Sequence, residues 1–338
     1  MKFAGSHILS IEQFERADIL RLFDVADRMA PYAHREKMTR VLEGAILGNM
    51  FFEPSTRTRV SFGCAFNLLG GEVRETTGMA NTSLAKGESL YDTARVLSGY
   101  SDVIVMRHPE SGSVQEFARA SRVPVINGGD GSNEHPSQAL LDLYTIRKEL
   151  NGRGRDGLDG LRIAMIGDLK FGRTVHSLSK LLTLFKNVSL TLISPKELRL
   201  PEDIVEKLRE AGHTVVETDQ LEPGINQVDI AYSTRIQEER FSSYEEAAMF
   251  RGRYRLNQSI YTKSCDPNTV IMHPLPRDSR AEANELDNDL NDNPNLAIFR
   301  QADNGVLVRM AMFALTLDVV DQIDKSARPV NWYTQRRF

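Results

Sequence analysis

The feature that most restricts this chain is a repeated alternation of short apolar runs with longer amphipathic ones. Residues 45–52, 102–106 and 123–126 are apolar stretches of strand length. Between and around them, residues 11–30, 55–69 and 135–150 carry helical spacing. Phe14, Ile19, Leu22, Phe23 and Val25 are core candidates in the first of these, and Gly70-Gly71 closes the second. A segment dense in glycine and charge, residues 151–160, interrupts the pattern. It then restarts, with strands expected at 161–166, 189–193, 214–216, 229–232 and 269–272. Helices are expected at 174–185 and 202–211, and a last apolar helix at 305–320. Strand–helix alternation predicts parallel sheets covered by helices on both faces. Two such runs predict an α/β protein of two doubly wound parallel-sheet domains, with the active site in the cleft between them at the carboxyl ends of the strands. The expected division is 1–150, joined by the C-terminal helix 305–330, and 151–304. A length of 338 residues suits two domains of roughly 150 residues each.

Gly152, Gly154 and Gly157 satisfy GxGxxG, but they follow a helix and precede a strand. A dinucleotide fingerprint needs the opposite order, so the segment reads as a linker and a dehydrogenase is set aside. No GxxxxGK[ST] run is present. The formal charge of -4 offers no basic field for nucleic acid. No run of 18 apolar residues predicts a membrane span. The first residues lack the apolar core of a signal peptide, so a cytoplasmic protein is expected. The two cysteines, Cys64 and Cys265, form no CxxC pair and read as buried free thiols.

The densest chemical signal is Phe51-Phe52-Glu53-Pro54-Ser55-Thr56-Arg57-Thr58-Arg59. A buried strand ends, proline turns the chain, and a helix begins. The first turn of a helix presents unpaired N–H groups and the positive end of the dipole. Hydroxyls from Ser55, Thr56 and Thr58 and the guanidinium of Arg57 suit a phosphate at that position. The plain alternative is a capped, solvated turn.

Ser55-Thr56-Arg57-Thr58-Arg59 resembles the carbamoyl phosphate motif of the aspartate/ornithine carbamoyltransferase family. Further matches follow in order: Met106-Arg107-His108-Pro109, the run from Gly129 to Gln138, the run from Gly167 to Thr174, and His273-Pro274-Leu275-Pro276-Arg277. The resemblance implies transfer of a carbamoyl group from carbamoyl phosphate to an amino group, without metal or cofactor. It assigns Ser55, Thr56, Arg57, Thr58 and Arg107 to carbamoyl phosphate. His135 would hydrogen-bond the carbamoyl oxygen as it gains charge. Gln138 and the backbone carbonyls of Leu275 and Pro276, across an expected cis bond, would take the carbamoyl amide. Residues 81–88 resemble a mobile loop that enters the neighbouring subunit's site, where Ser83 would touch phosphate and Lys86 both substrates. This chain has one lysine there where some relatives have two. Arg57, Thr58, Lys86, Arg107 and His135 form the implied catalytic set.

The second substrate is expected to be L-aspartate, with Lys86, Arg173, Arg235 and Gln237 as its site. The bland reading of these is solvated loop charge. Glu53, Arg173 and Arg240 are implied to link the domains on closure. An ornithine-using relative would carry Cys in place of Pro274 and a Ser-Met-Gly motif, and neither is present. A non-catalytic scaffold is the rival from another class. The resemblance implies a homotrimer and leaves open a separate regulatory chain. The acidic stretch 278–293 and the end 331–338 read as surface elaborations, with a partner contact as the alternative.

Overall fold

The computed structural model describes residues 1–79 and 82–332, without the side chains of Ser83 and Leu84. The chain forms two compact units, Met1–Ser137 with Gly305–Phe338, and Gln138–Asn304. The passage from the first to the second falls near the start of a helix, ahead of the glycine-rich 151–160 segment. No helix among the described residues is long and apolar enough to cross a membrane.

The first unit contains α1 (Arg16–Ala33), β1 (Lys37–Met38), β2 (Ile46–Phe51), α2 (Thr56–Leu68), β3 (Glu72–Thr77), α3 (Leu90–Leu97), β4 (Val103–His108), α4 (Ser113–Ala120) and β5 (Val125–Asp130). Helix α5 (Pro136–Asn151) carries the chain into the second unit. Strands β2 to β5 form a parallel sheet in the order β3-β2-β4-β5. β3, Glu-Val-Arg-Glu-Thr-Thr, has no apolar pattern and is not evident in the sequence. It is the sheet edge, largely exposed, and pairing with β2 rather than burial makes it a strand. Met50, Ile104, Met106, Val114, Phe117 and Val125 pack into one core cluster. Phe62 and Phe66 of α2 meet the Phe313 ring edge-on at 5.9 and 5.0 Å.

The second unit contains β6 (Arg162–Ile166), α6 (Arg173–Leu182), β7 (Ser189–Ile193), α7 (Glu202–Glu210), β8 (Thr214–Thr218), α8 (Leu221–Gly224), β9 (Ile230–Ser233), α9 (Tyr244–Ala248), α10 (Gln258–Ser264) and β10 (Val270–Met272). Its sheet is parallel, in the order β10-β9-β6-β7-β8. α11 (Ile298–Thr316) starts earlier than the expected 305 and returns the chain to the first unit. There β11 (Arg328–Pro329) pairs antiparallel with β1.

Two sequence expectations need correction. Cys64 is exposed, because α2 turns Phe62, Ala65 and Phe66 inward and leaves position 64 on its outer face. Cys265 is half-buried at the end of α10, where burial and neighbouring Asp266 push its thiol up to about 12. The acidic 278–293 stretch is also more than a surface loop. Leu286 and Leu290 belong to the second unit's core with Tyr254, Leu256 and Tyr261.

In both sheets the direction of strand addition reverses once. From β2 the chain adds β3 on one side and then β4 on the other. From β6 it adds β7 and β8 outward, then returns to place β9 and β10 on the opposite side. At such a reversal the loops leave the strand ends in opposite directions and open a crevice, where open parallel sheets bind ligands.

Candidate active site

In the first unit the reversal lies between β2 and β4. Phe51 is in register with Arg107, and the Phe52 amide donates to the Arg107 carbonyl at 2.9 Å. The turn Glu53–Ser55 and the end of β4 are therefore held side by side. Ser55 is the N-cap of α2 in extended conformation, yet its hydroxyl does not cap the helix. The hydroxyl is thus not committed to the helix end, whose first turn is the kind of position that favours an anion. Thr56 and Arg57 are exposed, Ser55 is half-buried and Thr58 is buried. Arg107 is fixed by Glu53, whose Oε2 accepts from Nε at 2.7 Å. Arg59, the last residue of the motif, has a different task. Its guanidinium pairs with Glu75 of β3, and its carbonyl accepts from Asn49 at 3.1 Å.

β5 continues the same edge. The loop after it is tied by Asp130, which is fully buried. One Asp130 oxygen accepts from the Asn127 amide group (3.0 Å) and the Glu134 backbone (3.2 Å), the other from Gly112 (3.0 Å) and Asn133 (3.0 Å). Gly131 has φ +53°, and a Cβ there would stand 2.8 Å from the Ser111 nitrogen, so only glycine suits the position. The loop delivers His135, buried, with Nδ1 3.4 Å from the Ser137 hydroxyl. The carboxyl ends of β2, β4 and β5 thus gather Ser55, Thr56, Arg57, Thr58, Arg107 and His135. Lys86 ends a short 3-10 turn, Ser83–Lys86, after β3, and is exposed in the single chain. Asn81 and the Ser83 side chain lie outside the described residues.

In the second unit the reversal lies between β6 and β9. Gly167 follows β6 with φ +109°, and a Cβ on it would lie 2.3 Å from the Thr234 carbonyl. The backbones of the 167–173 and 234–237 loops can approach only because of this glycine. Asp168, fully buried, joins them further: one oxygen accepts from the Phe171 amide at 3.0 Å and the other from Gln237 at 3.1 Å. Burial pushes its carboxyl above the usual range, against the opposing pull of these amides. Gln237 also donates from its side chain to the Phe171 carbonyl at 2.9 Å. Arg173 opens α6 beside this junction. Arg235 is half-buried and forks onto Glu239 one turn on. Burial disfavours its charge, but Glu239 more than restores it.

The next strand in the sheet, β10, leads to His273-Pro274-Leu275-Pro276, with Leu275–Pro276 cis. His273 is buried, and its Nδ1 accepts from the Leu275 amide at 2.8 Å. Nε2 sits 2.8 Å from Glu285 Oε1, though off the line of a well-directed hydrogen bond. Burial lowers the His273 pKa, so the ring is neutral and keeps Nδ1 as an acceptor. Gln138, near the start of α5, donates to buried Asp142 at 2.9 Å. Asp130, Asp142 and Asp168 were not assigned roles from sequence. The available signal was an acidic residue within or one turn after a motif of donors.

The fold and these two residue sets define a two-unit α/β protein with cationic, donor-rich loops at the reversal of each parallel sheet. The chain belongs to the aspartate/ornithine carbamoyltransferase family. Residues 6–148 match the model of its carbamoyl-P binding domain, and residues 159–316 that of its Asp/Orn binding domain. The aspartate carbamoyltransferase catalytic subunit of Saccharophagus degradans is 76% identical over 338 residues, covering 100% of both chains. That of Cellvibrio japonicus is also 76% identical, over 337 residues, covering 100% of this chain and 99% of the relative. Among solved structures, the catalytic subunit of M. jannaschii aspartate transcarbamoylase superposes with TM-score 0.83 at 44% identity, over 95% of this chain and 99% of that one. Aspartate transcarbamoylase from Trypanosoma cruzi, in complex with carbamoyl phosphate and aspartate, gives TM-score 0.85 at 38% identity, over 93% and 98%.

Proposed function

We propose that this chain transfers the carbamoyl group of carbamoyl phosphate to the amino group of L-aspartate, giving N-carbamoyl-L-aspartate and phosphate, an early step of pyrimidine biosynthesis. The observation that carries this reading is the pairing of Phe51 and Phe52 with Arg107, which sets the strand end leading into the Ser55–Thr58 turn beside Arg107 at the first sheet's reversal. Ser55, Thr56, Arg57, Thr58 and Arg107 hold the phosphate. Thr58, Arg107 and His135 stabilise the carbamoyl oxygen as the amine adds. The side-chain oxygen of Gln138 and the carbonyls of Leu275 and Pro276 accept from the carbamoyl amide. Arg173, Arg235 and Gln237 receive aspartate, whose two carboxylates need cationic partners. The amine attacks the carbamoyl carbon, the C–O bond to phosphate breaks, and the departing phosphate takes the amine proton. Orientation supplies much of the rate, roughly 7–11 kcal/mol in well-aligned systems.

Ser83 and Lys86 complete the site from a neighbouring subunit in a cytoplasmic homotrimer. Support comes from the exposure of Lys86 in the single chain and from relatives described as catalytic subunits. A regulatory chain is compatible with that description. The test of the reaction is product formation by the purified chain with aspartate and, separately, with ornithine. Carbamoyl aspartate alone supports the reading, and citrulline overturns it. The test of shared sites is to dissociate and mix Arg57→Ala and Lys86→Ala subunits. Activity above either parent is expected, and its absence overturns the sharing.

A further inference from the structure

Asp142 is fully buried on α5, and three donors converge on its carboxylate. Oδ1 accepts from Gln138 Nε2 at 2.9 Å and from Gln301 Nε2 at 2.6 Å. Oδ2 accepts from the Tyr232 hydroxyl at 2.7 Å. Burial and the adjoining carboxylate raise the Tyr232 pKa well above its ordinary value, so this hydroxyl remains a donor. Thr174, beside Arg173, is hydrogen-bonded to the same hydroxyl. The line continues from Gln301, whose Oε1 accepts from the His273 amide at 3.0 Å. His273 Nδ1 then accepts from the Leu275 amide at 2.8 Å.

An ionised carboxylate can only accept, whereas a carboxamide has one accepting end and one donating end. Facing Asp142, Gln138 must present its NH2, because the reverse orientation would set oxygen against oxygen. Its Oε1 is therefore turned away from Asp142. The same logic orients Gln301, and with it the His273 and Leu275 backbone. A buried carboxylate is costly to hold unless its lone pairs are met, and an apolar or hydroxyl residue would leave both glutamines free to rotate.

We propose that Asp142 is the positioning residue for recognition of the carbamoyl amide: it fixes the Gln138 oxygen as an acceptor and, through Gln301 and His273, sets the Leu275 carbonyl segment. This rests on the reading of Gln138 and Leu275 given above. The network makes the enzyme prefer a carbonyl carrying NH2 over the same phosphate carrying CH3, without itself touching substrate.

The measurement is the ratio of the acetyl phosphate inhibition constant to the carbamoyl phosphate KM, with inorganic phosphate inhibition as control. In Asp142→Leu neither glutamine meets a carboxylate, so nothing holds the Gln138 oxygen toward the substrate. The ratio is expected to fall about tenfold or more, the worth of one well-made hydrogen bond. Phosphate inhibition should stay within about twofold, a split that general loosening of the fold would not give. A folded Asp142→Leu that keeps the ratio overturns the proposal. Should that variant not fold, Gln301→Met interrupts the line at its second member. Loss of preference in it supports the proposal, and an unchanged ratio overturns it. Gln138→Leu separates the underlying reading: an unchanged ratio there means that Gln138 does not contact the carbamoyl amide at all. Wild-type protein inactive with carbamoyl phosphate would refute the reaction itself.

Discussion

Arg107 Nε stands 2.7 Å from Glu53 Oε2, joining the end of β4 to the turn that follows β2. Both side chains are largely buried, at 11% and 19% exposure, so the pair is shielded from solvent screening. In the proposed site this pair holds the Arg107 guanidinium at the end of β4. Glu53→Gln is expected to raise the carbamoyl phosphate KM severalfold. Arg107→Ala should remove most binding, and adding Glu53→Gln to it should cost little more. Fully additive losses in this double-mutant cycle would show that the two act separately.

Arg57 lies exposed in the first turn of α2 and is not part of the core. Arg57→Ala should lower turnover by about a hundredfold or more while leaving the melting temperature within a degree or two. A variant that keeps more than a tenth of the activity would remove Arg57 from the catalytic set.

Arg235 presents a planar fork that already engages a carboxylate, Glu239. Replacing it with alanine is expected to raise the aspartate KM by roughly thirtyfold and leave that of carbamoyl phosphate nearly unchanged. Arg235→Lys should recover little of this, since lysine lacks the bidentate geometry. Steady-state kinetics with each substrate varied in turn would decide it.

Gly167→Ala tests the loop junction of the second unit. The added methyl would meet the Thr234 carbonyl at 2.3 Å on a backbone with φ +109°. Destabilisation of about 2–4 kcal/mol is expected from strain and overpacking together. Aspartate binding should suffer more than phosphate binding. Chemical denaturation and substrate titration would report both.

Glu238 accepts from Arg251 at 2.6 and 3.0 Å and from Arg280 at 3.0 and 3.3 Å. The Arg251 hydrogen bonds foremost hold its carboxyl at about 2, against an ordinary 4.5. A folded-state pKa below the unfolded one stabilises the protein above the unfolded value, and that contribution disappears as pH falls through the folded value. Acid should therefore erode stability between about 4.5 and about 2. Glu238→Gln should flatten that part of the profile, measured as melting temperature against pH.

The strands of both sheets except edge strand β3, and the longer helices α1, α2, α5, α6, α7 and α11, were legible as apolar runs and periodic stretches, whereas the shorter helices α3, α4, α8, α9 and α10 were not. β3 was not, because an exposed edge strand has no burial pattern to write into its sequence. The second-unit end of α11 was missed because polar Arg300, Gln301, Asp303 and Asn304 break the apolar face expected to define it. Of the site, the donor-rich turn at 55–58 was legible, since consecutive hydroxyls and arginines after a strand have few structural uses. The acidic residues that hold the site were not. Asp130 and Asp142 look like any other carboxylates until their burial is known.

Sequence by itself determined the period of the elements, the parallel α/β class, the motif residues and the family to which they belong. Those properties follow from local chemistry: where apolar side chains fall, where glycine is required, and where donors cluster. Tertiary structure decided the strand order, and with it the reversal in each unit that brings loops distant in sequence together at the carboxyl ends of that unit's own sheet. It also decided which charges meet. Arg59 is engaged by Glu75, Arg107 by Glu53, and Gln138 is oriented by Asp142. Pairings of this kind depend on separations through space and on burial, and neither is encoded at any single position of the chain.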